Sequence, residues 1–157
     1  MGYDQKFMEE AIALSGECFQ SEKGGPFGAV VVQNGKIVGR GRNRVTADND
    51  PTAHAEIQAI REACQYLKTF QLKGCEIYAS CEPCPMCLGA IYWARPDVVY
   101  YAASRQDAAH AGFDDSFIYE EISLPTPSRK IPAIQHACPA AQIILEQWNT
   151  WKKKVSY

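Results

Sequence analysis

The chain has 157 residues, 46% of them hydrophobic and 22% charged, with a formal net charge of −2. That length suits a single domain, and its core is large enough to do without disulfides; the composition is not that of a disordered chain. The slight negative charge argues against a protein built chiefly to neutralise nucleic-acid phosphates, and no apolar run approaches the ~18–20 residues of a membrane span. The opening Met1-Gly2-Tyr3-Asp4-Gln5-Lys6 leads into no apolar signal core, so a cytoplasmic protein with reduced thiols is expected. Its seven cysteines, an odd number, then do not form a disulfide framework.

Phe7, Ala11, Leu14 and Cys18 recur at helical spacing and predict an amphipathic helix over 5–20, broken by Gly24-Gly25-Pro26. The β-branched run 28–33 predicts a strand, Asn34-Gly35 a tight hairpin turn, and 36–40 the return strand. The stretch 43–52, rich in Asn, Asp, Thr and Pro, predicts a loop. Ile57, Ile60, Ala63, Cys64 and Leu67 share one face of a predicted helix over 54–67. A strand over 75–80, a short apolar helix over 84–94 and a strand over 98–101 follow. The pattern from 105 to 122 is mixed, with 107–110 helical, and Leu124 to Pro132 predicts a loop. Ile144, Trp148, Trp151 and Val155 predict an amphipathic helix over 140–154, whose terminal Lys152-Lys153-Lys154 suits a helix C-terminus. A hairpin followed by strands alternating with helices implies a mixed sheet with helices on both faces.

Three of the seven cysteines fall between positions 81 and 87. With Cys84 at a helix start, Cys87 lies three positions on and shares its face. Those two thiolates and the His54 imidazole make three zinc ligands and leave one tetrahedral position for water. Zinc lowers the pKa of such a water to about 7. The reaction still needs a proton carrier, and Glu56 is the candidate. Positions two apart do not face together on a regular helix, so His54 and Glu56 converge only if His54 sits in the first turn or just before it.

Other readings of these residues exist. A Cys-x-x-Cys pair can be a redox centre, but the βαβ context of a thioredoxin is missing. Cys81-x-x-Cys84-x-x-Cys87 resembles an iron–sulfur run, yet position 91, where a further cysteine belongs, is Ile. A closed structural zinc site of His54, Cys81, Cys84 and Cys87 would make the protein a zinc-stabilised interaction module with no chemistry. The joint pattern His54-Ala55-Glu56 with Pro83-Cys84-Pro85-Met86-Cys87 favours the open, catalytic site, because His-x-Glu with Pro-Cys-x-x-Cys is the signature of zinc nucleobase deaminases.

The whole chain resembles the cytidine deaminase superfamily and, within it, the bacterial-type guanine deaminases. The resemblance rests on Gly24-Gly25-Pro26-Phe27-Gly28-Ala29-Val30, Asn49-Asp50-Pro51-Thr52-Ala53-His54-Ala55-Glu56, Ser80-Cys81-Glu82-Pro83-Cys84-Pro85-Met86-Cys87, Tyr92-Trp93-Ala94-Arg95-Pro96 and Gly112-Phe113-Asp114-Asp115-Ser116-Phe117-Ile118-Tyr119. The zinc segments mark the superfamily; the Phe-Asp-Asp-Ser-Phe-Ile-Tyr segment and the terminal Tyr157 point to guanine. The resemblance implies one deaminase-like domain over 1–157, an α/β fold in three α/β/α layers with a five-stranded mixed sheet. It implies one Zn²⁺ per subunit on His54, Cys84 and Cys87, with Glu56 as proton shuttle. Water would attack the amino-bearing carbon of guanine, and Glu56 would pass a proton to the leaving amine, giving xanthine and ammonia.

The same resemblance places Asn43, Phe27 and Asp115 against a small-molecule purine base, with Asp114, Trp93 and Tyr157 as further substrate-side candidates. A carboxylate and an amide oxygen suit the ring N–H and amino donors of guanine, and an aromatic face suits a flat purine. It also implies a homodimer, domain-swapped through a C-terminal segment of about 138–157 that covers an active site. A tRNA adenosine deaminase shares the zinc segments, but the charge of −2 speaks against an RNA partner. Cytosine, cytidine or another aminated ring remains a third substrate class.

Overall fold

The computed structural model describes residues 2–157, which form two compact units, the first running to Asp115 and the second from Ser116 to Tyr157. In the first unit, α1 (Gln5–Ser21) is capped by Asp4, whose side chain accepts the Lys6 N–H. Strands β1 (Gly28–Gln33) and β2 (Lys36–Arg42) form the expected hairpin, with Asn34 and Gly35 at φ 51° and 73°, as a type I′ turn requires. Then come α2 (Val45–Asp48), α3 (Ala55–Leu67), β3 (Cys75–Cys81), α4 (Pro85–Ala94), β4 (Val98–Ala103) and α5 (Arg105–His110).

The strand order is β2-β1-β3-β4; β1 is antiparallel to both its neighbours, and β3 and β4 are parallel. Alternation along β1 divides the core between the two faces of the sheet. Ala29 and Val31 join Ile77, Ala79 and the α3 alanines in one cluster, while Val30 and Val32 join Phe7, Met8, Ala11 and Tyr78 in the other. Helix α3 lies unusually close to β2. Ala55, Ala59 and Ala63, spaced four apart, face Gly39 and Gly41, and a Cβ at either glycine would collide with the α3 backbone. Small residues on both sides thus set the depth at which the start of α3 sits over the sheet.

Two expectations change. The sheet has four strands among the described residues, not five. These are the four that the residue pattern marks. After β4 a capping box of Ser104 and Asp107 starts α5 at once, and Pro125, Pro127 and Pro132 later lack the N–H groups that a ladder needs. The expected loop over 43–52 contains α2, a single turn held by a bidentate Arg44–Asp48 ion pair at 2.8 and 2.6 Å.

The second unit holds α6 (Ser116–Ser123), a 3₁₀ turn (Thr126–Ser128) and α7 (Pro139–Thr150). Arg129 donates to the carbonyls of Ile122 and Leu124, and Lys154 to that of Asn149, so basic side chains satisfy both helix ends. Helix α7 stops four residues short of the predicted end: Trp151 leaves helical geometry at ψ 114° and places its ring 5.2 Å from that of Trp148. No helix among the described residues is long and apolar enough to cross a membrane.

Candidate active site

His54 and Cys84 hold equivalent places: each is the residue immediately before a helix, in extended conformation, and neither side chain caps the helix it precedes. Pro85, which has no N–H to satisfy, opens α4 behind Cys84. Cys87 stands in the first turn of α4 and is fully buried. The three side chains meet. His54 Nδ1 lies 3.5 Å from Cys84 Sγ and 3.6 Å from Cys87 Sγ, and all three ligand atoms fall within 4.8 Å of one another.

These separations fit zinc. A tetrahedron with Zn–S of about 2.3 Å and Zn–N of about 2.0–2.1 Å has an N···S edge of about 3.6 Å. The donor set, two sulfurs and one imidazole nitrogen, is also one that zinc takes. Cys81 stands apart from this cluster. Its thiol donates to the Ser104 carbonyl at 3.5 Å and is pushed up to about 11 by burial. The closed four-ligand site therefore lacks its fourth ligand, and all seven cysteines are free of disulfides.

The Cys84 and Cys87 thiols are shifted in opposite directions. The Cys87 thiol and the His54 ring hold Cys84 down to about 4, as a thiolate. That thiolate and burial push Cys87 well above the ordinary thiol range. His54 is raised by its hydrogen bond to Cys84.

Glu56 lies in the first turn of α3 and, among the described residues, is one of three buried polar or charged residues, at 8% exposure. Burial raises its carboxyl above the usual range and the Cys84 thiolate adds to this, while the neighbouring Cys87 thiol and His54 ring act in the opposite direction. A buried carboxyl beside three metal-type donors is the group that acid–base chemistry needs.

Asn43, also buried, follows β2 directly. Its Oδ1 accepts the N–H groups of Gly25 at 3.0 Å and Val45 at 3.2 Å, and its own N–H donates to the Phe27 carbonyl at 3.0 Å. Two N–H donors on one atom identify that atom as the oxygen. The oxygen end of this amide is thus taken up by two backbone N–H groups. Phe27 is half-buried and packs against the core cluster beneath α3.

Asp115 is half-buried, and its carboxyl is raised by burial and then by the Cys84 charge, whereas Asp114 is exposed. Trp93 is 62% exposed on α4, and Tyr157 is 67% exposed in the second unit. Sequence reasoning passed over Phe113, whose ring stands edge-to-face against Phe27 at 4.9 Å. Its place in the Gly112-to-Tyr119 segment was the only signal.

Comparison with known proteins agrees with this geometry. Residues 1–103 match the family model for the cytidine and deoxycytidylate deaminase zinc-binding region. A guanine deaminase of Bacillus subtilis is 52% identical over 98% of each chain. The X-ray structure of guanine deaminase from Bacillus subtilis superposes with a TM-score of 0.95 at 51% identity, covering 99% of both chains. A tRNA-specific adenosine deaminase of Aquifex aeolicus is 42% identical over 75% of this chain and 77% of its own. With zinc-type donors at tetrahedral spacing, a buried carboxyl beside them and a family match over the whole first sheet, this chain belongs to the zinc-binding cytidine and deoxycytidylate deaminase family.

Proposed function

We propose that this protein is a guanine deaminase, hydrolysing guanine to xanthine and ammonia. The observation that carries the reading is the buried Glu56, in the helix turn directly after His54, beside the three-donor cluster of His54, Cys84 and Cys87. Those three residues would hold Zn²⁺, one per subunit. When bound, the ion supplies a Lewis acid that brings the deprotonation of water to near-neutral pH.

The chain's own groups do the rest. Glu56, starting as the carboxylate, takes up a proton as water adds to the amino-bearing carbon of guanine and returns it to the departing amine. The Asn43 NH₂ donates to an acceptor on the base, while Asp115 accepts from its N–H groups. Phe27 supplies an aromatic face for the ring, and Asp114, Trp93 and Tyr157 complete the substrate side.

We further infer a cytoplasmic homodimer in which the segment of about 138–157 covers an active site, by exchange between protomers. Support comes from apolar side chains of α7 that lie in solvent, with Ile144 at 63% and Leu145 at 67% exposure, since contiguous exposed apolar surface marks an interaction face.

Zinc-loaded protein is given guanine, and xanthine formation is followed by ultraviolet absorbance. Zinc-dependent turnover supports the reading. No turnover on guanine, together with inosine formation in tRNA, would replace it with the RNA-editing activity.

A further inference from the structure

We propose that Phe113 is a positioning residue for the substrate base: it stands as a side wall to the aromatic face of Phe27 and holds that face in place. The proposal rests on the reading of the site as one that takes a purine base. The two rings have their centroids 4.9 Å apart and their planes at 85°. A flat base stacked on Phe27 is then nearly perpendicular to Phe113, which limits how far the base slides within its own plane.

The corner is tightly built. A Cβ on Gly25 would sit 3.1 and 3.2 Å from two Phe27 ring atoms and 3.4 Å from Phe113. Gly25 is itself fixed by its N–H bond to Asn43 Oδ1, and Asn43 is fixed by its bond to the Phe27 carbonyl. Gly25, Phe27 and Asn43 thus lock one another, and Phe113 closes the corner from a different segment of the chain.

Phe113 is also tied to the cysteine loop. Its N–H donates to the Ala108 carbonyl at 2.9 Å, at the end of α5, and the start of α5 is held where Arg105 N–H donates to the Glu82 carboxylate at 3.1 Å. A core role does not account for this side chain: it is 44% exposed and belongs to neither core cluster. Edge-to-face pairs contribute enough to hold one ring in register, about three- to tenfold in an equilibrium.

The test compares zinc-loaded wild type with Phe113→Ala, Phe113→Tyr and Gly25→Ala. Two readouts are used: steady-state kinetics on guanine, and equilibrium binding of hypoxanthine, a flat purine without the reacting amino group. The alanine variants are expected to raise KM and weaken hypoxanthine binding about three- to tenfold, with kcat within about twofold. Phe113→Tyr, which keeps the ring, returns both to near wild type. Unchanged KM and binding in Phe113→Ala overturns the proposal. So does a fall in kcat that tracks lost zinc or lowered Tm, which marks a structural role. A wild type that binds hypoxanthine but leaves guanine intact overturns the deaminase reading while the binding comparison still decides the role of Phe113. A wild type that binds no purine overturns both.

Discussion

His54 and Glu56 stand two positions apart and serve one site because α3 begins between them: His54 is the extended residue before the helix and Glu56 lies in its first turn. On a continuous helix the two side chains would diverge by about 200°. The helix boundary therefore brings a ligand and a proton carrier together from adjacent sequence.

The same relationship separates their roles in mutation. Glu56→Gln keeps the shape of the side chain and removes its proton. Zinc content, measured by elemental analysis, should stay at one per chain while kcat falls by about 10²- to 10⁴-fold. Loss of zinc in this variant would make Glu56 a structural partner of the ligands.

The cysteines should divide in the same way. Cys84→Ser or Cys87→Ser is expected to lose zinc and turnover, whereas Cys81→Ser keeps both, because Cys81 bonds to Ser104 and stands outside the cluster. Chelation should abolish turnover but leave far-ultraviolet circular dichroism intact, since both core clusters form without the metal ligands His54 and Cys84. Global unfolding on chelation would point instead to a structural metal.

Gly41→Ala places a methyl group against the Ala55 carbonyl and must push the start of α3 away from β2. We expect a loss of about 2–3 kcal/mol in urea denaturation, at the upper end for overpacking, because the neighbour is backbone. Weaker zinc binding should accompany it, as His54 rides on the same helix start.

Stability at high pH should report on Tyr78. Burial and its hydrogen bond to the Glu76 carboxylate raise the phenol to about 12, against about 10 in the unfolded chain. The fold favours the neutral phenol, so its contribution is fully present below about pH 10 and is lost as pH rises through about 12. Tyr78→Phe should be weaker at neutral pH by about 1–3 kcal/mol, having left buried Glu76 without its donor, and should show a flatter alkaline limb.

If the C-terminal segment covers a site, Tyr157→Ala should cut kcat/KM on guanine about tenfold or more without lowering Tm. Equal activity in the variant would remove the segment from catalysis.

Most elements were legible because their signals are local. The Asn34-Gly35 turn, the period of α1 and α3, and the β-branched run of β1 each lie within a few residues of sequence, and the structure reproduces them closely. The ligands were legible for the same reason, since Cys84 and Cys87 share one helix start. What escaped depends on partners distant in sequence or on weak local patterns. Helix α2 is one turn inside a stretch of turn-forming residues, stabilised by a single ion pair between Arg44 and Asp48. The orientation of the Asn43 amide is decided by the Gly25 N–H, eighteen positions away, which no local pattern reveals. Phe113 and Phe27 are still farther apart, and their edge-to-face geometry exists only in the folded chain.

The helices that carry the metal donors, α3 and α4, both begin at a residue whose side chain leaves the helix end uncapped. Each therefore forgoes roughly 1 kcal/mol that a serine or aspartate would contribute there. In the metal-free protein these two first turns should be the earliest parts of the scaffold to exchange their amide hydrogens, even though they sit beside the best-packed strands. An ion held by His54 and Cys84 would then supply, at both helix starts, the anchoring that a capping side chain gives elsewhere.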